Sequence, residues 1–303
     1  MNNIRTSTYR RIREFLIRHI MLILTMISLL FTLIIGISLY YKSAPILDQQ
    51  SLWRLITESN WRPMKGEFGF FPFIMGTFWV TGISVILSLP FCLLAAIYLS
   101  EYAHPHIKKM VYPVIDVLAG IPPVVYGVWG IIAVVPFISE KLAPHFVEFS
   151  TGYSILAGGI VLAIMIIPLM IAIFMEIFDA LPAGLREASL SLGATNWQTV
   201  KKVVLRKSLP GLIAAVVLAI SRAFGETIAV LMVCGNVPEV PRSVFDPGYP
   251  LPALLANNYG EMMSIPLYDA ALMLSALLLF VIIFAFNAIS RLILIRLERD
   301  FAL

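Results

Sequence analysis

The segment Ser221-Arg222-Ala223-Phe224-Gly225-Glu226-Thr227 sets two opposite charges four residues apart inside a run, Pro210 to Cys234, that is otherwise almost wholly apolar. On a helix that spacing puts Arg222 and Glu226 on one face. At 1.5 Å of rise per residue, Arg222 stands roughly 18 Å above Pro210, near the middle of a hydrocarbon layer about 30 Å thick. A guanidinium at that depth is costly unless it faces protein or a polar path, so the expectation is an Arg222–Glu226 pair turned toward a bundle interior. Two chemistries are then open. The pair fixes helix packing, or the planar guanidinium fork receives an oxyanion in transit while Glu226 holds Arg222 when the path is empty.

A second group lies in the segment 179–209, where Arg186-Glu187-Ala188-Ser189-Leu190-Ser191-Leu192-Gly193-Ala194 precedes a further apolar stretch, Val203-Val204-Leu205. Leu185, Ala188 and Leu192, and then Trp197, Val200, Val203 and Val204, recur at helical spacing, which predicts two short helices with Gly193 as the turn between them. The small residues Ala188 and Ser189 permit close approach of a partner; the bland alternative is an amphipathic loop lying on the membrane surface. Pro122, Pro123 and Gly127 predict a break near the middle of another apolar run. Thr77, Thr81, Ser84 and Ser88 stripe one helical face and read as packing contacts. His104 and His106 straddle Pro105 in what reads as a solvated turn, without the further ligands that a metal would need. The chain has no Gly-x-x-x-x-Gly-Lys-Ser/Thr phosphate loop, no His-Glu-x-x-His pair and no Gly-x-Ser-x-Gly elbow. Catalytic residues, a metal and a cofactor are therefore not expected, and ATP chemistry, if used, must come from another subunit.

The elements that must position these groups are membrane helices. Of 303 residues, 59% are hydrophobic and 13% charged, which excludes a water-exposed globular fold. Six runs reach the roughly 20 residues that a helical crossing needs: Ile20 to Tyr41, Gly76 to Leu99, Val111 to Phe137, Ser154 to Phe178, Pro210 to Cys234 and Asp269 to Ile295. The expected fold is an all-α polytopic membrane protein, with segment 1–19, a six-helix domain 20–295 and a tail 296–303. The first run is too long for a signal-peptide core and reads as a retained helix. Arg5, Arg10, Arg11, Arg13, Arg18, Lys108, Lys109, Arg186, Lys201, Lys202, Arg206, Lys207, Arg291, Arg296 and Arg299 fall on one side of these runs, against Lys42, Arg54, Arg62, Lys65, Lys141 and Arg242 on the other. The excess places both termini in the cytoplasm. The basic residues form no continuous patch, so a nucleic-acid partner is not expected despite a pI near 9.1. Cys92 and Cys234 fall in or at the end of spans and imply no disulfide framework. In the long outer loops, Trp53, Trp61 and Phe68-Gly69-Phe70-Phe71-Pro72-Phe73 read first as interface anchors, with docking of an outside partner as the second reading.

Glu187, Ala188 and Gly193 resemble, in register, the EAA loop of ABC importer permeases, whose pattern is Glu-Ala-Ala, three residues, Gly, nine residues, then Ile-x-Leu-Pro. Ser189 replaces the second Ala, Val203 and Leu205 occupy the Ile and Leu positions, and Arg206 stands where the family has Pro. Together with Ile121-Pro122-Pro123-Val124-Val125-Tyr126-Gly127 and Arg222-Ala223-Phe224-Gly225-Glu226-Thr227, the chain is similar over most of residues 70 to 295 to the permeases of phosphate-specific ABC transporters. Phe71-Pro72-Phe73-Ile74-Met75-Gly76-Thr77 and Glu226-Thr227-Ile228-Ala229-Val230 resemble the PstC type more than the PstA type. The resemblance implies the type I importer permease fold in the cell inner membrane. It also implies half of a phosphate pathway at Arg222 and Glu226, and an ATPase contact at Glu187, Ala188, Ser189 and Gly193. The implied partners are a second homologous permease, two cytoplasmic ATPase subunits and an extracytoplasmic phosphate-binding protein, besides membrane lipid. The competing readings are an importer of another oxyanion such as molybdate or sulfate, an ion-coupled secondary transporter, which would predict inverted repeats, and a membrane sensor or scaffold.

Overall fold

The computed structural model describes the backbone of residues 2–260, 262 and 266–301 and the side chains of 14–260, 262 and 267–296; Arg5, Arg10, Arg11, Arg13 and Arg299, used above for orientation, have side chains outside the described residues. The chain runs through α1 (Asn2–Leu47), α2 (Leu52–Thr57), β1 (Trp61–Arg62), β2 (Glu67–Phe68), α3 (Phe71–Tyr102), α4 (Pro105–Ala119), α5 (Pro123–His145) and α6 (Ile155–Asp179). It continues with α7 (Ala183–Ser191), α8 (Asn196–Phe224), α9 (Ile228–Val233), α10 (Leu251–Asn258) and α11 (Pro266–Phe301). Among the described residues six helices are long and apolar enough to cross a membrane: those of α1, α3, α5, α6, α8 and α11.

The most buried of these is α6, apolar all round, with α3, α4, α8 and α9 packed against it. Small residues set the distance to its neighbours. A Cβ on Gly158 would fall 2.2 Å from Cys234 Sγ, and one on Gly159 would fall 2.4 Å from Ile83 Cγ2. Between helices in lipid, where burial from water drives nothing, such close approach is what generates van der Waals attraction. The hydroxyl stripe on α3 belongs to this packing. Thr77 donates to Phe73 O at 2.7 Å and accepts from Leu251 N at 2.9 Å, Ser84 donates to Thr81 O at 2.8 Å, and Ser88 lies 3.7 Å from Met170 Sδ. By contrast, α1 lies along α11 with Phe15 through Leu33 largely exposed, a surface suited to lipid or a second subunit.

Of two interrupted runs, the first breaks where expected and the second does not. The run Val111 to Phe137 is not one helix: α4 stops at Ala119 and α5 restarts at Pro123. A proline disfavours helical backbone in the residue before it, while its own fixed φ suits the first helical position, where Pro123 sits with Pro122 as its N-cap. The fifth apolar run is likewise interrupted, since α8 ends at Phe224 and α9 begins at Ile228. The two long loops, 42–75 and 235–268, are folded where described. β1 and β2 pair antiparallel, Trp61 opposite Phe68 and Arg62 opposite Glu67. Trp61 meets Phe68, Phe70, Phe73 and Tyr268 edge-on, with ring centroids 4.9–5.9 Å apart. Phe68, Phe70 and Phe73 are buried, so the anchor reading is corrected for them: they form a small core of their own, while Trp53 stays exposed.

Candidate functional site

Arg222 lies in the last turn of α8. The helix closes there with tightened bonds, Gly225 N to Arg222 O at 3.1 Å and Glu226 N to Ala223 O at 3.2 Å, and does not continue. The i,i+4 relation that would bring Glu226 alongside Arg222 is lost with it, and the expected pair does not form: among the described residues Arg222 makes no ion pair. Glu226 turns to the start of α9 instead, where its Oε1 accepts from Ala229 N at 3.5 Å. The first amides of a helix have no partner within it and carry the positive end of its dipole, so a carboxylate is well placed there. Glu226 is half-buried, whereas Arg222 is exposed on the surface of the chain. Beside Arg222, Ser221 hydrogen-bonds Asn287 Oδ1 of α11 at 3.0 Å.

The helices that follow the two breaks, α5 and α9, pack against each other. A Cβ on Gly127 would meet Met232 Sδ at 2.5 Å and the Ala229 Cα at 3.3 Å, so Gly127 does not interrupt its helix; it lets α5 and α9 touch. Backbone groups freed by an interruption at this depth need partners inside the protein. Tyr126 provides one: its hydroxyl donates across the gap to Leu118 O at 2.8 Å. Hydrogen bonds from Ile121 N to Leu118 O and from Val125 N to Pro122 O close the remainder.

The loop 179–209 has one short helix, not two. α7 is separate, but the second helix begins at Asn196 under a Thr195–Gln198 capping box and runs on to Phe224 as α8, through a wide turn at Val200–Val204. Apolar residues on either side of the expected end, Val200, Val204 and Leu212, are buried, so packing carries the helix into the span. Gly193 has φ +83°, the left-handed conformation that ends α7. Glu187, Ala188 and Gly193 are exposed, together with Leu190, Leu192 and Trp197. Ser189 is not presented outward in the same way: its hydroxyl lies 2.9 Å from that of Thr199, tying α7 to α8.

Sequence reasoning did not single out Tyr126, Asn287, Thr199 or the Arg186–Glu101 ion pair as functional. Arg186 Nη2 lies 2.6 Å from Glu101 Oε1, and its Nε lies 3.0 Å from Oε2. The same guanidinium donates to Leu181 O at 3.1 Å and Phe178 O at 2.8 Å. The hydrogen bonds to Glu101 hold its pKa above the ordinary arginine value. Lys108 and Tyr112 of α4 both reach Asp179 at the end of α6, at 2.7 and 3.1 Å. The side chains paired in both clusters lie some 67 to 85 residues apart in sequence, and no local pattern connects them.

Residues 88–300 match the family described as "Binding-protein-dependent transport system inner membrane component". A probable ABC transporter permease protein, YqgH, of Bacillus subtilis is 43% identical over 68% of this chain and 66% of the relative. The phosphate transport system permease protein PstC of Pasteurella multocida is 33% identical over 80% of this chain and 79% of the relative. That of Mesorhizobium japonicum is 31% identical over 87% and 84%. Among solved structures, a chain of the MetNI methionine ABC transporter in inward-facing conformation is similar at a TM-score of 0.54 and 21% identity, covering 77% of this chain and 98% of that one, a likeness of fold. Among the described residues six apolar helices, two interrupted spans, an arginine outside any ion pair and an exposed Gly193 turn thus stand in a chain that belongs to the binding-protein-dependent inner-membrane transport components, and within them to the PstC-type ABC permeases.

Proposed function

We propose that this chain is one of two membrane-spanning subunits of an ATP-driven phosphate importer, and that Arg222 with Glu226 lines the translocation path. The observation that carries this reading is Arg222 itself, a guanidinium at the end of a membrane helix, exposed on the single chain and without an ion pair among the described residues. Lipid is a prohibitive neighbour for it, so the face that bears it abuts a second permease subunit across a polar path. Glu226 adds discrimination. Hydrogen phosphate retains an O–H that a carboxylate can accept, whereas sulfate brings only acceptors to the same site. The relatives named as phosphate transport permeases support the choice of anion.

In this arrangement both termini are cytoplasmic. α7 and the Gly193 turn dock on one of two ATPase subunits, and the folded outer loops receive a phosphate-binding protein. The test is phosphate uptake by the complete complex in proteoliposomes. Arg222→Gln is expected to lower ATP-driven uptake by about tenfold or more, since a charge-assisted bidentate contact is lost, with subunit assembly unchanged. Normal flux through the variant would remove Arg222 from the path.

A further inference from the structure

The ATPase-facing helix α7 presents Glu187 and Ala188 outward, yet the residue that precedes them points the other way. Arg186 spends its guanidinium on four acceptor atoms: both carboxylate oxygens of Glu101 and the carbonyl oxygens of Phe178 and Leu181. Its side chain is 24% exposed and that of Glu101 9% exposed, so the contact is largely withdrawn from water. Glu101 sits in the wide final turn of α3, Tyr98–Tyr102, and Phe178 in the last turn of α6. One side chain therefore joins α7 to the inner ends of the two most extensively packed helices of the molecule. A second connection leaves α7 through Ser189 and Thr199 into α8, which runs unbroken to Arg222.

We infer that Arg186 and Glu101 form a strut that transmits displacement of α7 to α3 and α6, making both of them positioning residues for ATP-coupled transport. The inference rests on the proposed importer reading and adds to it the route by which an ATPase moves the membrane helices. Through the backbone alone, a displacement of α7 reaches α6 only by the short connection Ala180–Pro182 and does not reach α3, because α7 is followed by the Gly193 turn. Gripped by a guanidinium that is planar and bonded on several edges, α7 moves with the ends of α3 and α6 as one body. Lysine keeps the charge but cannot span the carboxylate and both carbonyls in a fixed plane.

The experiment compares Glu101→Gln, Arg186→Lys and the double variant with the unaltered complex, reconstituted with its ATPase and binding-protein subunits in vesicles. Co-purification of the ATPase, ATP hydrolysis and phosphate imported per ATP are read for each. The expected result is retained ATPase assembly and hydrolysis, with phosphate per ATP reduced about tenfold in each single variant and no further in the double, as for two residues acting as one unit. Unchanged phosphate per ATP in Glu101→Gln overturns the strut. Loss of the ATPase from the complex, or additive losses in the double variant, also overturns it, since the pair then serves assembly or acts as two unrelated groups. Absence of ATP-driven uptake by the unaltered complex would instead overturn the importer reading beneath it.

Discussion

Three single residues decide what this surface can do, and each is governed by a different force. Arg222 is governed by the cost of charge in hydrocarbon, which leaves it only protein, water or an anion for company. Glu226 is governed by the dipole and free amides at the start of α9, which draw it from the partner that spacing alone would have chosen. Gly193 is governed by backbone sterics. Its φ of +83° is costly to a residue with a Cβ, while no atom lies within 4 Å of where that Cβ would stand. Gly193→Ala is accordingly expected to destabilise the α7–α8 turn by about 1–2 kcal/mol, and Gly193→Asn by less, because asparagine tolerates the left-handed region. Measured as ATPase retention on the purified complex, the order should be Gly, then Asn, then Ala. Equal retention by all three would show that the turn's conformation does not matter for docking.

At the scale of elements, the two interrupted spans explain each other. α5 and α9 each restart after a break and touch through Gly127, so the two helices that follow the interruptions support one another. Tyr126 holds the first break closed by donating to Leu118 O. Tyr126→Phe removes that donor and leaves Leu118 O with only the longer bond from Ile121 N at 3.3 Å, at a cost of about 0.5–1.5 kcal/mol. A lower melting temperature of the purified complex, with the helix content by circular dichroism retained, is the expected outcome. An unchanged melting temperature would mean that water already serves Leu118. The continuity of α8 from Asn196 to Phe224 has the opposite significance: it makes one helix of the second half of the loop 179–209 and the Arg222 span, which a separate second loop helix would not have done.

For the whole molecule, orientation is the property most open to a direct test. Both native cysteines are buried, so introduced thiols can be read against a low background. With the proposed topology, Ser243→Cys in the outer loop is expected to react with an impermeant maleimide added to intact cells, and Ser191→Cys only after the membrane is opened. The reverse pattern would place the termini outside. The exposed apolar length of α1 and the exposed face bearing Arg222 belong to the same scale, since both are surfaces that a lone chain in lipid leaves uncovered.

Composition and local periodicity were enough to determine much of this protein: six crossings, the absence of an ATP-binding loop, the break at Pro122 and Pro123, the Gly193 turn and the singular position of Arg222. Hydrophobic length, proline and glycine act over a few residues, so a linear reading captures them. Glu226 chose between two local partners, Arg222 and the Ala229 amide, once the helix stopped at Phe224. The fusion of the second loop helix with the fifth span, the burial of Phe68, Phe70 and Phe73, and the grip of Arg186 on Glu101 were decided only in three dimensions. In each of these a group had a local option with its sequence neighbours and a tertiary one. In a medium where every unpaired polar group is costly and packing is the main attraction, the tertiary option prevailed.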